Sequence, residues 1–472
     1  MQILYIICTC VTNRIVRREG IGYTQAMLKD DMENTTIAAL ATPPGKGGIA
    51  IIRLSGDRAE ELLRAVFRPA LREGAFSSHL LMYGHAVQGD SVLDECMAVL
   101  MKAPRSYTRE DVAELHLHGG EYVAARVLSL LWSLGAQPAE PGEFTKRAFL
   151  NGRVDLSRAE AVMQLIEASG DRSFRAAVRD LQGGASSFVK KAQDDLTEIL
   201  SGVAAALDYP EEISQEEAAG GLLPRIEALQ ARLLSACDER SARILERGLE
   251  VVIVGRPNVG KSSLLNLLLG EERAIVTDEA GTTRDIVRGS TALGGVRVNF
   301  SDTAGIRDSD QKVERIGIDL AKKSLAGADL VLAVFDRGEE IRDEDRAILE
   351  LIKNQPHLLV LNKSDLAPNP AWPEGLSISA RTGEGLEELK AAILSCAGQA
   401  GESELSLLRH IRLAERAAQS LSEAREALKR GEPLDLAAIH LHEALYALGE
   451  VTGEQVTDGL LDKIFSAFCV GK

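Results

Sequence analysis

The run Gly255-Arg256-Pro257-Asn258-Val259-Gly260-Lys261-Ser262 has the residue types and spacing to hold phosphate groups. Gly255 and Gly260 allow a tight backbone path that turns several N–H groups toward one point, and a helix starting there adds the positive end of its dipole. Lys261 places a positive charge on the outer phosphates of a nucleoside triphosphate, and the Ser262 hydroxyl suits Mg2+. Asn258, Val259 and Ser263 complete the contact set. Such a cradle works only between a strand and a helix. Leu249-Glu250-Val251-Val252-Ile253-Val254 before it reads as a short apolar strand, and Ser263-Leu264-Leu265-Asn266 after it as the start of a helix.

Further clusters follow in order and decide which nucleotide. Asp302-Thr303-Ala304-Gly305 ends a second apolar strand, with a carboxylate for the metal shell and a glycine amide for the γ-phosphate. Asn362-Lys363-Ser364-Asp365 follows the strand Leu358 to Leu361, and the Asp365 carboxylate can accept two hydrogen bonds from guanine N1 and its exocyclic amine. Adenine offers neither donor. Ser379-Ala380-Arg381 follows another strand and closes over the base. Each match alone is weak, but the order and the strand-end positions together point to GTP rather than ATP.

The hydrolytic machinery departs from the Ras-like arrangement, in which a glutamine after Asp-x-x-Gly orients the attacking water. Ile306 stands there instead and cannot do so. The polar loop Val276-Thr277-Asp278-Glu279-Ala280-Gly281-Thr282-Thr283-Arg284-Asp285 lies at the switch position, where Thr283 can complete a Mg2+ shell. Asp308, Asp310 and Glu314 are alternative water-orienting groups. The residues alone do not choose among them, and each also reads as a solvated charge at a helix start.

Over the 472 residues these motifs belong to a multidomain α/β and α protein. Residues 1–31 lack periodicity and read as a disordered extension or a start codon placed too early. Residues 32–150 alternate strand-like runs (Gly48 to Leu54, Leu93 to Met101) with helical ones (Ala59 to Val66, Tyr122 to Leu134), as in a small α+β domain. Residues 151–247 are almost purely helical, with a break at Asp208-Tyr209-Pro210. Residues 248–400 alternate strand and helix as a Ras-like P-loop domain requires, and 401–472 are helical again. The simplest architecture inserts the nucleotide-binding domain into one helical domain.

The formal net charge of −16 repels nucleic acid and anionic membrane, so any RNA contact needs a local basic patch or a partner. The cysteines (Cys8, Cys10, Cys96, Cys237, Cys396, Cys469) show neither a disulfide framework nor metal-ligand spacing, which fits a reducing cytoplasm. Ile3 to Val11 is too short to span a bilayer and precedes its basic residues, the wrong order for a signal peptide. His116-Leu117-His118 and His440-Leu441-His442 lack further ligands at metal spacing, so zinc is not expected.

The chain resembles the MnmE (TrmE) family of tRNA modification GTPases from Thr36 to Lys472. The resemblance rests on Ala41-Thr42-Pro43-Pro44-Gly45-Lys46-Gly47-Gly48, His118-Gly119-Gly120, Pro141-Gly142-Glu143-Phe144-Thr145-Lys146-Arg147-Ala148-Phe149-Leu150-Asn151-Gly152, Leu207-Asp208-Tyr209-Pro210-Glu211-Glu212, Gly281-Thr282-Thr283-Arg284-Asp285 and Cys469-Val470-Gly471-Lys472. It implies a homodimer, joined through its N-terminal domain. It also implies that, with the FAD-dependent partner MnmG (GidA) in a heterotetramer, the chain adds an aminomethyl or carboxymethylaminomethyl group to C5 of the wobble uridine (U34) of certain tRNAs. The one-carbon unit comes from 5,10-methylene- or 5-formyl-tetrahydrofolate.

By the same resemblance, hydrolysis is K+-activated across paired G domains, with K+ held by Asn258, Thr277, Glu279 and Thr282. Mg2+ is held by Ser262 and Thr283, and Glu314 positions the water. Position 279 varies from the family pattern, but its implied ligand is a backbone carbonyl. Folate falls to Arg53, Glu110, Arg153 and Lys472, where Arg153 replaces a common lysine and so alters contact geometry. Cys469 is implied to be functionally required, its role open between catalytic thiol, structural contact and redox bystander. Val470-Gly471-Lys472 does not make it a prenylation site. The rival reading is a ribosome-assembly GTPase of the Era or Der type, but the acidic-to-neutral C-terminal half lacks the basic RNA-binding module such a switch carries.

Overall fold

A computed structural model of the chain describes residues 35–71, 76–270, 287–302, 325, 327–367, 369, 372, 374–398, 400, 401 and 403–472. The extension over 1–31 lies outside the described residues. The chain divides into two compact units, Met1–Met163 with Asp180–Leu233 and Leu413–Lys472, and Gln164–Arg179 with Leu234–Arg412.

The first unit opens with β1 (Ile37–Leu40), β2 (Ile49–Ser55), α1 (Ala59–Val66), β3 (Phe67–Pro69), β4 (Met82–Gln88), β5 (Ser91–Met101), β6 (Val112–His118), α2 (Glu121–Ser133), β7 (Gln137–Pro138) and α3 (Glu143–Leu150). The strands form one sheet in the order β3-β4-β5-β6-β2-β1-β7. Period-two alternation sorts their side chains. Ile52, Leu54 and Leu115 face α1 and α2 in a common core with Leu62, Leu63 and Leu131, while Arg53 and Glu114, paired in register, share the other face. There Phe144 of α3 packs with Ile37, Ala39 and Ala139. A cysteine in this sheet is spent on packing, since burial first and the Asp94 charge second push the Cys96 thiol up to about 12.

The chain continues as α4 (Leu156–Glu167), α5 (Asp171–Leu181), α6 (Gly184–Asp208), α7 (Gln215–Ser235) and α8 (Glu239–Arg247). The buried residues of α6 include Ala185, Val189, Ala192, Leu196, Ile199, Val203 and Ala206, alternately four and three apart. That heptad spacing makes one apolar seam, and the alanines in it permit close helix approach. The seam runs along a C-terminal helix, described below, whose own buried set follows the same period.

The second unit holds β8 (Leu249–Val254), α9 (Lys261–Gly270), β9 (Val287–Leu293), β10 (Val296–Asp302), β11 (Leu330–Asp336), α10 (Asp343–Ile352), β12 (His357–Asn362), β13 (Leu376–Ser377) and α11 (Leu386–Cys396). Its sheet has the order β13-β12-β11-β8-β10-β9, parallel except for β9. All seven residues of β11 are buried, as a central parallel strand covered on both faces demands. Leu330, Leu332 and Val334 join one core with Val251 and Ile253, and Val331, Ala333 and Phe335 join another with Val252 and Val254. The chain ends in α12 (Leu408–Lys429), α13 (Leu434–Thr452) and α14 (Asp458–Phe465). In the first unit α13 packs along α6 through Leu441, Ala444, Leu448 and Val451.

The lead-in to β8 is held by a cap. Asp238 Oδ1 accepts from Ser241 N at 2.9 Å and Oδ2 from Ser241 Oγ at 2.6 Å, closing the start of α8. Burial by itself would raise this carboxyl, but the Ser241 donors and the Arg240 backbone and charge outweigh it and hold it below the usual aspartate range. The cap is therefore fully present above that range and lost as pH falls through the depressed value. Asp238→Ala is expected to weaken α8 by about 1 kcal/mol, so that its amides exchange with solvent about fivefold faster than in the unaltered chain near neutral pH. The difference should shrink on acidification, and equal exchange rates at neutral pH would contradict the cap.

Candidate functional site

The loop after β8 emerges where the strand order turns from β10 on one side to β11 on the other, the crevice in which open parallel sheets bind ligands. Its glycines are required by packing. A Cβ on Gly255 would stand 2.3 Å from the Val334 carbonyl oxygen, and one on Gly260, whose φ is +97°, would stand 2.1 Å from Asn362 Nδ2. Asn258 sits in the left-handed region at φ 65°, which asparagine tolerates better than most residues. Val259 is buried and anchors the loop. Lys261 is also buried, and its Nζ donates to the Arg256 carbonyl at 2.7 Å. Asn258, Ser262 and Ser263 are exposed. A cradle that admits no Cβ, with an ammonium inside it and a serine hydroxyl on the first helical turn, fits a triphosphate with Mg2+.

One side chain joins this loop to the base-reading elements. Asn362, at the end of β12, donates from Nδ2 to the Val259 carbonyl at 2.7 Å and accepts at Oδ1 from Ala380 N at 2.9 Å. Lys363 adopts φ 64° and its Nζ meets Asp336 Oδ2 at 2.6 Å. Asp365 accepts from Ser379 Oγ at 2.7 Å and pairs with Arg381 at 2.7 Å. The Ser379 hydrogen bond, helped by Arg381, holds the Asp365 carboxyl below its ordinary range. It therefore stays an ionised acceptor, the form a guanine edge needs. Asp302 closes β10 in register with Ile253. Thr277, Asp278, Glu279, Ala280, Gly281, Thr282, Thr283, Thr303, Ala304, Gly305 and Glu314 lie outside the described residues.

A second constellation gathers on the sheet face of the first unit that carries Arg53 and Glu114. Arg53 Nε bonds Glu114 at 2.9 Å, and its guanidinium lies 5.3 Å from the centre of the Tyr107 ring and 5.8 Å from that of Phe144. Arg153 stacks on the same Tyr107 ring at 4.6 Å and donates to its carbonyl at 3.0 Å. Glu110 is held by Ser55 Oγ at 2.7 Å and Arg147 NH1 at 3.2 Å. The carboxyl terminus reaches the same place, with Phe144 N donating to the Lys472 carbonyl at 3.1 Å, Gly142 N to that of Cys469 at 3.4 Å, and Arg53 NH1 to that of Gly471 at 3.5 Å. Gly471, at φ +92°, allows this approach, for a Cβ there would stand 2.2 Å from the Leu40 carbonyl oxygen. Cys469 is exposed.

Arg53 and Arg153, a hundred positions apart, thus meet over the Tyr107 ring, while Glu110 bonds Ser55 and Arg147 and Lys472 is tied by its carbonyl to Phe144. Sequence reasoning missed Tyr107 itself and Arg147, the buried partner of Glu110. Tyr107 stands three residues before Glu110, close enough for an aromatic platform to have been suspected. The histidine pairs differ from the sequence reading in having carboxylate partners. His116 meets Glu114 at 3.1 Å and His118 meets Asp94 at 2.7 Å, and ligand-capable atoms of Glu423, His440 and Glu443 lie within 4.8 Å of one another. Asp94, Glu114 and His116 are half-buried, and His118 is exposed.

A phosphate loop at the switch point of a parallel sheet, with Asn-Lys-x-Asp and Ser-Ala-Arg on the next strand ends, defines a P-loop GTP-binding protein. The chain matches the family descriptions "GTP-binding protein TrmE N-terminus" over residues 36–153 and "MnmE helical domain" over residues 156–469. It is 44% identical over 461 residues to the tRNA modification GTPase MnmE of Enterococcus faecalis, covering 93% of this chain and 99% of that one. The MnmE of Synechococcus sp. is 43% identical over 447 residues, covering 93% and 98%. Among solved structures, Era in complex with MgGDPNP and nucleotides of 16S ribosomal RNA is 36% identical over 31% of this chain and 55% of that chain, with a TM-score of 0.26. The chain belongs to the MnmE (TrmE) family of tRNA modification GTPases. Among the described residues no helix is long and apolar enough to cross a membrane.

Gly260→Ala would drive a methyl into Asn362 Nδ2 and part the phosphate loop from the base-reading strand. Overpacking of this kind costs about 1–3 kcal/mol, so GTP affinity should fall about 10- to 100-fold in equilibrium titration. Unaltered affinity would show that the Gly260–Asn362 contact does not shape the site.

Proposed function

We propose that this chain hydrolyses GTP in a K+-dependent manner and, with an FAD-dependent partner of the MnmG (GidA) type in a heterotetramer, modifies C5 of the wobble uridine of certain tRNAs. The modification is an aminomethyl or carboxymethylaminomethyl group built with a tetrahydrofolate one-carbon unit. The observation that supports this most is that Arg53 and Arg153 share the Tyr107 ring while the Cys469–Lys472 segment is bonded to Arg53, Gly142 and Phe144, in a different unit from the guanine site. A GTP switch alone has no use for such a place. The reading includes a homodimer formed through residues 32–150, helical halves at 151–247 and 401–472, a G domain at 248–400, and a cytoplasmic setting.

In this reading Lys261 neutralises the outer phosphates, Ser262 and Thr283 hold Mg2+, and Asp365 selects guanine. Asn258, Thr277, Glu279 and Thr282 surround K+, and Glu314 orients the water that Ile306 cannot. K+ there supplies the positive charge that an arginine finger supplies in other GTPases. In the first unit Glu110 accepts from the amino-pyrimidine edge of the folate while Arg53, Arg153 and Lys472 offer positive charge to its glutamate tail. The one-carbon unit is the folate's contribution. Cys469, exposed in the terminal segment, is required for the modification in this reading, as a catalytic thiol, a structural contact or a redox bystander.

Three measurements test this. GTP hydrolysis in K+ should exceed that in Na+ at equal ionic strength by tenfold or more, about 1.4 kcal/mol of barrier; equal rates would remove the K+ assignment. A strain lacking the gene should lose its modified wobble uridine from the tRNA nucleoside profile and regain it with the intact gene but not with a Cys469→Ser copy. A Gly471→Ala protein, with its terminus pushed off β1, should bind tetrahydrofolate more weakly while binding GTP normally. Modification that survives the deletion would refute the reading as a whole.

A further inference from the structure

Arg256 fills a position that the phosphate-loop pattern leaves open, and a loop residue of that kind is ordinarily solvated. Here it is 6% exposed. Its Nε donates to Asp345 Oδ1 at 2.7 Å and its NH2 to Glu339 Oε2 at 3.2 Å. Asp345 is wholly buried, and its second oxygen accepts from Arg342 N at 3.0 Å, at the first turn of α10. One carboxylate therefore ties the phosphate loop to the start of a helix on the neighbouring strand connection. Such a buried pair adds little net stability, because desolvation of both charges offsets their attraction; fixing a geometry is the use for which its cost is best accounted.

The geometry at stake is visible in the same residue. The carbonyl of Arg256 accepts the Lys261 ammonium at 2.7 Å, so the residue whose side chain is clamped also places the head of the lysine that serves the outer phosphates. The clamp is itself braced. Trp372 Nε1 donates to the Glu339 carbonyl at 2.8 Å and its ring packs 4.9 Å from that of Phe335, while Arg342 NH2 bonds Glu339 at 2.8 Å. At the other end of the same connection Asp336 accepts from Gly338 N at 3.0 Å and holds Lys363 of the base-reading motif at 2.6 Å.

We propose that Arg256 and Asp345 are positioning residues for the outer phosphates: their buried pair sets the phosphate-loop backbone and, through the Arg256 carbonyl, the reach of Lys261. The inference rests on the guanine-nucleotide reading of the site. It requires that loss of the pair be felt at the β- and γ-phosphates, which Lys261 serves, and not at the base, which Asp365 reads.

The test is equilibrium binding of GMP, GDP and GTP to the full chain and to Asp345→Asn and Arg256→Gln. Asp345→Asn keeps the size and an acceptor for the start of α10, and Arg256→Gln keeps a hydrogen-bonding group toward Asp345. Each should lower GDP and GTP affinity about tenfold, the scale of one lost charge-assisted hydrogen bond, and leave GMP affinity within about twofold. GMP binding and the helical far-UV spectrum certify the fold, and a variant that keeps both decides the matter. Equal losses for all three nucleotides, no loss for any, or collapse of both variants would overturn the proposal, since the pair would then be idle or merely structural. If the unaltered chain bound none of the three, the nucleotide reading itself would fall instead.

Discussion

Asn362 is the interaction on which the nucleotide site depends. Its two amide atoms point at different parts of the crevice, Nδ2 at the Val259 carbonyl and Oδ1 at the Ala380 amide. With Asn362 almost wholly buried, both bonds are made away from competing water, where an unmade one would cost about 1–3 kcal/mol. The consequence is geometric. A loop that holds phosphate and a loop that closes over a base belong to different strand connections, and one planar group fixes the distance between them. The requirement for glycine at 260 follows from the same atom, because Asn362 Nδ2 occupies the space a side chain there would need.

The constellation in the first unit is organised differently, by an aromatic ring and a chain end. The guanidinium groups of Arg53 and Arg153, like charges that repel each other, both lie over the Tyr107 ring, which gives each a favourable partner. The terminal residues Cys469 to Lys472 reach it by backbone hydrogen bonds to Gly142 and Phe144, with Gly471 as the residue thin enough to lie against Leu40. The position of Cys469 is thus set by backbone contacts of its own carbonyl and of the residues that follow it.

Much of this was legible in the sequence, and the rest was not for identifiable reasons. The strand Leu249–Val254 and the helix Ala59–Val66 have the bounds that their apolar patterns indicate, because burial on a sheet face or helix stripe leaves a periodic record. Lys261, Asn362 and Asp365 announce themselves by chemistry at fixed spacing. Arg256 and Asp345 do not, since an arginine in a loop and an aspartate at a helix start each have an ordinary solvated reading, and only the fold shows that they are buried against each other. Glu110 and Arg147 are likewise 37 positions apart, a pairing no local pattern encodes. Glu423 was missed beside His440 for a similar reason, as it reaches that ring only through the packing of the helices that carry them.

The central claim is that the strand ends around Asn362 form a site for guanine nucleotides. Calorimetric titration of the full chain with GTP and with ATP in the presence of Mg2+ tests it most directly. A carboxylate that accepts two guanine donors is left unpaired by adenine, so GTP should saturate a single site while ATP binds at least about 100-fold more weakly. Equal affinities for the two nucleotides would contradict the account.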